Sequence, residues 1–125
     1  MAQAMRKARE TLPDFLAMAA NPKPGAEGFA IKFAVREGED VEYFWIHPFQ
    51  QKGEQFSGRI DNRPRTVHGV SFGQTVTFSQ NEIVDWMYMD NNRMRGNYTV
   101  RALLKNASPA ERAAFKQRFN HDLEF

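Results

Sequence analysis

The chain has 125 residues, no cysteine, 42% hydrophobic and 26% charged residues, and a formal net charge of +2. That length fits one domain, and the composition is that of a globular chain, not a disordered one. Zero cysteine excludes a disulfide scaffold, a thiol nucleophile, Cys-ligated zinc and iron–sulfur clusters. No apolar run is long enough to span a bilayer. The isoelectric point near 9.1 reflects a small excess of base. Without a clustered basic face, that is a weak sign of a nucleic-acid partner.

Residues 2–20 carry Met5, Ala8, Leu12, Phe15, Leu16 and Ala19 at helical spacing, which predicts an amphipathic helix. Pro13 should kink or restart it, with Thr11 as cap of the restarted segment and Asp14 supporting its first turn. The N-terminus lacks the apolar stretch of a secretory signal, so a cytoplasmic protein without a membrane segment is expected. Asn21 to Gly25 ends the helix and forms a linker.

Residues 28–36 alternate, with Phe29, Ile31, Phe33 and Val35 on one side. After the turn Glu37-Gly38-Glu39-Asp40, the strand 41–49 is apolar on both faces and is expected to be central and covered on both sides. A third strand, 54–61, sets Phe56, Gly58 and Ile60 alike. Asn62 to Arg65 breaks it, Thr66 to Gly73 crosses, and Gly73-Gln74 turns. Short strands follow at 75–78, 83–89 and 93–96, with a loop at Ser79–Glu82 and a turn at Asp90-Asn91-Asn92. Asn97 is the expected cap of a short helix bearing Val100, Leu103 and Leu104. Ser108-Pro109-Ala110-Glu111 starts a second helix, with an N-cap Ser, Pro at the first position and Glu three residues on. Ala114, Phe115, Phe119 and Leu123 continue it. The expected fold is α+β: a curved antiparallel sheet of five or six short strands, packed on an N-terminal helix and C-terminal helices. As one domain, 1–24 is helix and linker, 28–96 sheet and 97–125 helical.

Several groups could carry chemistry. Gly69-Val70-Ser71-Phe72-Gly73 matches the nucleophile elbow of serine hydrolases, but that elbow needs a buried strand before it and a helix after it. Neither flank has the pattern, so a Gly-flanked connection is the reading. His47, His68 and His121 lack close ligand spacing, so no metal site is expected. His47 should pack in the aromatic strand and His121 on a solvated tail. Glu42 and Asp85 lie in strands among aromatic residues and could form an acid–base couple. The plainer reading, preferred here, is a hydrogen-bonded Asp85 and a cross-strand ion pair for Glu42. Asn97-Tyr98-Thr99 is formally a glycosylation acceptor, without meaning in a chain lacking a signal peptide. Arg59, Arg63, Arg65, Arg93, Arg95 and Arg101 lie near Tyr88 and Tyr98, an interleaving that can grip a single-stranded backbone. Arginine scattered on strand edges also discourages aggregation, which is the blander reading.

A family likeness then emerges. It runs through Ala8-Arg9-Glu10-Thr11-Leu12 with Phe15, Lys32-Phe33, Glu42-Tyr43-Phe44-Trp45-Ile46, Phe56-Ser57-Gly58 and Gly73-Gln74-Thr75-Val76. It ends with Ile83-Val84-Asp85-Trp86-Met87-Tyr88 and Gly96-Asn97-Tyr98-Thr99-Val100-Arg101. Together these resemble the bacterial YegJ-like family of small domains of unknown function, over nearly the whole chain. The most specific part is Asp-Trp-Met-Tyr followed about ten residues later by Gly-x-Tyr-Thr. Family members often carry two glycines there; Asn97 tolerates the same left-handed backbone. The resemblance implies a compact single domain and brings no activity or catalytic residues.

The leading expectation is a non-enzymatic protein-binding module, without cofactor or metal. In its narrower form it is an immunity protein that covers the active site of a toxin encoded nearby. Its partner-binding candidates are Glu42, Trp45, Asp85, Trp86, Tyr88, Arg95, Tyr98 and Arg101. The first alternative is a small enzyme or ligand-binding domain using Glu42, Asp85 and Tyr98; the second is RNA or single-stranded DNA binding.

Overall fold

Helix α1 spans Ala2–Ala20, and Ala8, Leu12, Phe15 and Leu16 form its buried stripe. That stripe runs across Pro13, and the helix does not restart there. Thr11 is therefore no cap: its hydroxyl donates back to the Lys7 and Ala8 carbonyls, at 2.8 and 3.2 Å. The computed structural model describes residues 2–119. The expectations for His121 and Leu123 concern positions outside the described residues.

Six strands follow: β1 (Ala26–Glu37), β2 (Asp40–Lys52), β3 (Gln55–Ile60), β4 (Thr75–Ser79), β5 (Ile83–Asp90) and β6 (Arg93–Gly96). They make one antiparallel sheet in the order β4-β3-β2-β1-β5-β6. Two helices close the order, α2 (Tyr98–Leu104) and α3 (Pro109–Phe119). Among the described residues no helix is long and apolar enough to cross a membrane. The chain divides into two compact units: the residues up to Phe29 with those from Asp85 onward, and Ala30–Val84.

In the first unit the α1 stripe packs on aromatic rings. Phe15 stacks on Trp86 with centroids 4.9 Å apart, and Phe29 stacks on Tyr88 at 5.0 Å. The Trp86 indole N–H donates to the Ala8 carbonyl and the Thr11 hydroxyl, both at 3.1 Å, so its polar edge is satisfied inside the core. Asn91 and Asn92, at φ 50° and 68°, make the tight β5–β6 turn. The start of α3 is a capping box: Glu111 N–H donates to the Ser108 hydroxyl, and Ser108 N–H to the Glu111 carboxylate. The expected stripe on α2 is not fully buried, since Leu103 is 62% exposed.

In the second unit β1 pairs β2 with Ile31 opposite Ile46 and Phe33 opposite Phe44. Ile31, Phe44, Ile46, Phe56 and Ile60 are buried. Phe33 and Phe78 sit on β1 and β4, three strand spacings apart, or about 14 Å in a flat sheet. Their rings nevertheless stack at 4.6 Å, so these four strands coil around one aromatic core. A register shift between Ile46 and Phe49 bends β2, and a cis peptide joins His47 to Pro48 there. Opposite it, a side chain on Gly58 would meet Ile46 Cγ2 at 2.4 Å; only glycine admits the approach. β2 lies between β1 and β3 as expected, but it is not covered on both sides: Val41 is 38% and Tyr43 41% exposed, and His47 is exposed instead of packed. The reason is alternation. Phe44 and Ile46 take the core face, and their neighbours face out.

Candidate functional site

The Asp85 carboxylate is fully buried on β5. One oxygen accepts the N–H of Trp86 at 2.8 Å and of Tyr98 at 3.2 Å. The other accepts the Thr99 N–H at 2.9 Å and the Thr99 hydroxyl at 2.6 Å. Asp85 therefore caps α2 from thirteen residues away, satisfying amides that a helix start leaves without partners. The expected cap, Asn97, does not bond α2 with its side chain. It supplies the left-handed turn at φ 53°, ψ 47°, and gives its backbone N–H to the Trp86 carbonyl at 2.7 Å. Gly96 precedes it at φ +78°, where a Cβ would lie 2.3 Å from the Trp86 carbonyl oxygen. Asp-Trp-Met-Tyr and Gly-x-Tyr-Thr are thus two halves of one joint.

That joint shapes a cleft of about 760 Å³ between α1, β5, β6 and α2. Its aromatic lining is Trp86, Tyr88 and Tyr98; Lys7, Arg95, Arg101 and Lys105 supply the charge, and none of the lining residues is acidic. Three of these cations have a defined setting. The Lys7 ammonium lies 5.5 Å from the Tyr98 ring centroid. Arg101 donates to the Gly96 carbonyl at 2.7 Å and the Met94 carbonyl at 2.9 Å. Arg95 pairs with Asp90 at 3.2 Å, as does Lys23. Those two cations, Lys23 first, hold the Asp90 carboxyl below its usual range.

Five of the eight sequence candidates line this one cleft: Trp86, Tyr88, Arg95, Tyr98 and Arg101. Asp85 lies beneath it as the cap. Glu42 and Trp45 belong to the second unit. Among the described residues Glu42 has no cross-strand ion pair; its carboxylate accepts the N–H groups of Arg65, Thr66 and Val67, at 2.8, 2.9 and 3.0 Å. Glu37, which the sequence places in a simple turn, accepts those of His68 and Gly69, at 2.8 and 2.6 Å. Backbone donors, Val67 foremost for Glu42 and His68 for Glu37, hold both carboxyls below their usual range. Five successive amides are thereby tied to two glutamates. Trp45 is half-buried under the Lys32 ammonium, 4.9 Å from its ring centroid.

Gly69–Gly73 lies in the loop between β3 and β4, where the Ser71 N–H donates to Gln74 Oε1 at 2.9 Å. That is a turn and not a strand-to-helix elbow. Among the described residues no cluster of three or more His, Asp or Glu is placed to hold a metal ion. Lys7 and Lys105 are the lining cations that sequence reasoning passed over. Their signal is weak, because each is one charge on a helix surface.

The family described as "Uncharacterized protein conserved in bacteria (DUF2314)" matches residues 1–123. The uncharacterized protein YegJ of Escherichia coli is 31% identical over 104 residues, covering 83% of this chain and 67% of that protein. A putative ankyrin repeat protein of Neisseria meningitidis is 29% identical over 76 residues, 61% of this chain but only 30% of that protein. No solved structure matches.

Proposed function

The chain belongs to the DUF2314 family of bacterial proteins, and from that premise we propose that it is a non-enzymatic module that grips an acidic segment of a partner protein in the α1–β5–β6–α2 cleft. The observation that carries this reading is the lining: four cations over three aromatic rings, with no carboxylate among them. Aromatic and arginine side chains at the base of a concavity are the usual anchors of protein interfaces, and matched charge steers the encounter and selects the partner. Both strand carboxylates support a binding role over an acid–base one, since Asp85 and Glu42 are occupied by backbone donors. The Neisseria relative adds a hint: its matching segment is less than a third of a longer chain described by its ankyrin repeats.

The narrower form is an immunity protein, cytoplasmic, neutralising a toxin made beside it. A basic cleft then calls for a toxin that presents an acidic face. The test is capture of stoichiometric partners from the products of neighbouring genes, using the full chain and a Lys7→Glu/Lys105→Glu variant. The expected result is one acidic partner that the wild type retains and the variant loses. Retention by both, or no partner at all, removes the proposal.

A further inference from the structure

The second unit carries a feature that the cleft does not use. On β1 and β2 the residues opposite the core are Lys32 beside Trp45, Ala34 beside Tyr43 and Arg36 beside Val41. Arg59 on β3 shares this parity, because its neighbours Gly58 and Ile60 face the core. The result is an aromatic stripe on a central strand, flanked by cations. Tyr43 and Val41 are 41% and 38% exposed, and Arg36 and Arg59 are exposed. No strand position on this face holds a carboxylate; Asp61, just past β3, is exposed and gives its backbone N–H to the Trp45 carbonyl at 2.9 Å.

We infer that this open face binds a single-stranded nucleic acid, with a base laid on Tyr43 and phosphates drawn to Arg36, Arg59 and the Lys32 ammonium that caps the Trp45 ring. Alternate residues of a strand stand about 7 Å apart on one side, so Val41 and the capped Trp45 flank the ring of Tyr43. Sheet-borne aromatic residues stack bases in this way, and such stacking is tolerant of sequence because every base offers a π-face. A protein partner is less well matched, since it would have to present acidic groups on both flanks of β2, to Arg36 on one side and, on the other, to Arg59, which also donates to the Gly73 carbonyl at 3.4 Å. A duplex is excluded as the occupant because its bases are already stacked.

The test uses the full chain and fluorescein-labelled oligouridylate and oligothymidylate of about ten nucleotides, the scale of a single-strand site. Both single strands should bind at low salt, and a duplex of equal length should bind more weakly. With three phosphates neutralised, log affinity should fall against log salt with a slope of about −2. Tyr43→Ala should weaken binding about five-fold or more; its side chain is open to solvent, and an unchanged melting curve confirms the fold. Lys32→Gln/Arg36→Gln should cut the slope to about −0.7. Lys7→Gln/Lys105→Gln, in the cleft, removes the same charge as Lys32→Gln/Arg36→Gln and should weaken binding less, which separates this face from the acidic-segment proposal. No binding at low salt, equal affinity for duplex, or loss through the cleft variant instead of Tyr43→Ala overturns the inference.

Discussion

Asp85 shows how one side chain can determine a surface it does not reach. It is buried, accepts four hydrogen bonds, and fixes where α2 begins. Asp85→Ala strands the Tyr98 and Thr99 amides and the Thr99 hydroxyl, and should cost about 3 kcal/mol in urea unfolding. An unchanged midpoint would mean that water replaces the carboxylate. The two tryptophans should part company. Trp86 is 7% exposed and stacked on Phe15, so Trp86→Ala should cost about 3–5 kcal/mol. Trp45 is half-buried, and Trp45→Ala should cost about 1–2 kcal/mol. Equal losses would contradict this account of β2. The sequence marks Asp85 as unusual through its aromatic neighbours. It does not name Thr99 as the partner, because no local rule links positions fourteen apart.

At the scale of elements, local chemistry was legible. The α1 stripe, the Asn91-Asn92 turn, the Ser108 capping box and the Phe56-Gly58-Ile60 alternation all follow from periodicity and turn preference. The segment between β3 and β4 was not, because Glu37 and Glu42 hold it from another hairpin. Both carboxyls have folded-state pKa values below those of the unfolded chain. Their stabilisation is therefore fully present above the unfolded value of about 4.3. It fades as pH falls from there through the folded-state values. Hydrogen exchange of the Arg65–Gly69 amides should accelerate in that acid window, beyond its intrinsic pH trend. Glu37→Gln/Glu42→Gln should flatten the response. A double variant with the wild-type acid limb would show that other groups set it.

For the whole molecule, a net charge of +2 conceals an uneven distribution. Four cations line one cleft, so the remainder is on balance acidic. The isoelectric point therefore says little about the partner, and placement says more. Composition indicated a globular chain, and periodicity supplied its helices and strands and hence the α+β class. A curved sheet was expected; that its curvature lays Phe33 on Phe78 was not legible, because strand order comes from non-local pairing. Arg101 joins the scales. β6 is an outer strand of the sheet, and a strand edge is a template for another chain. The same guanidinium that lines the cleft occupies the carbonyls of Met94 and Gly96. Retargeting the cleft by replacing this arginine would therefore uncover a rim onto which a second copy could grow, so new specificity here is bounded by the need to remain dispersed.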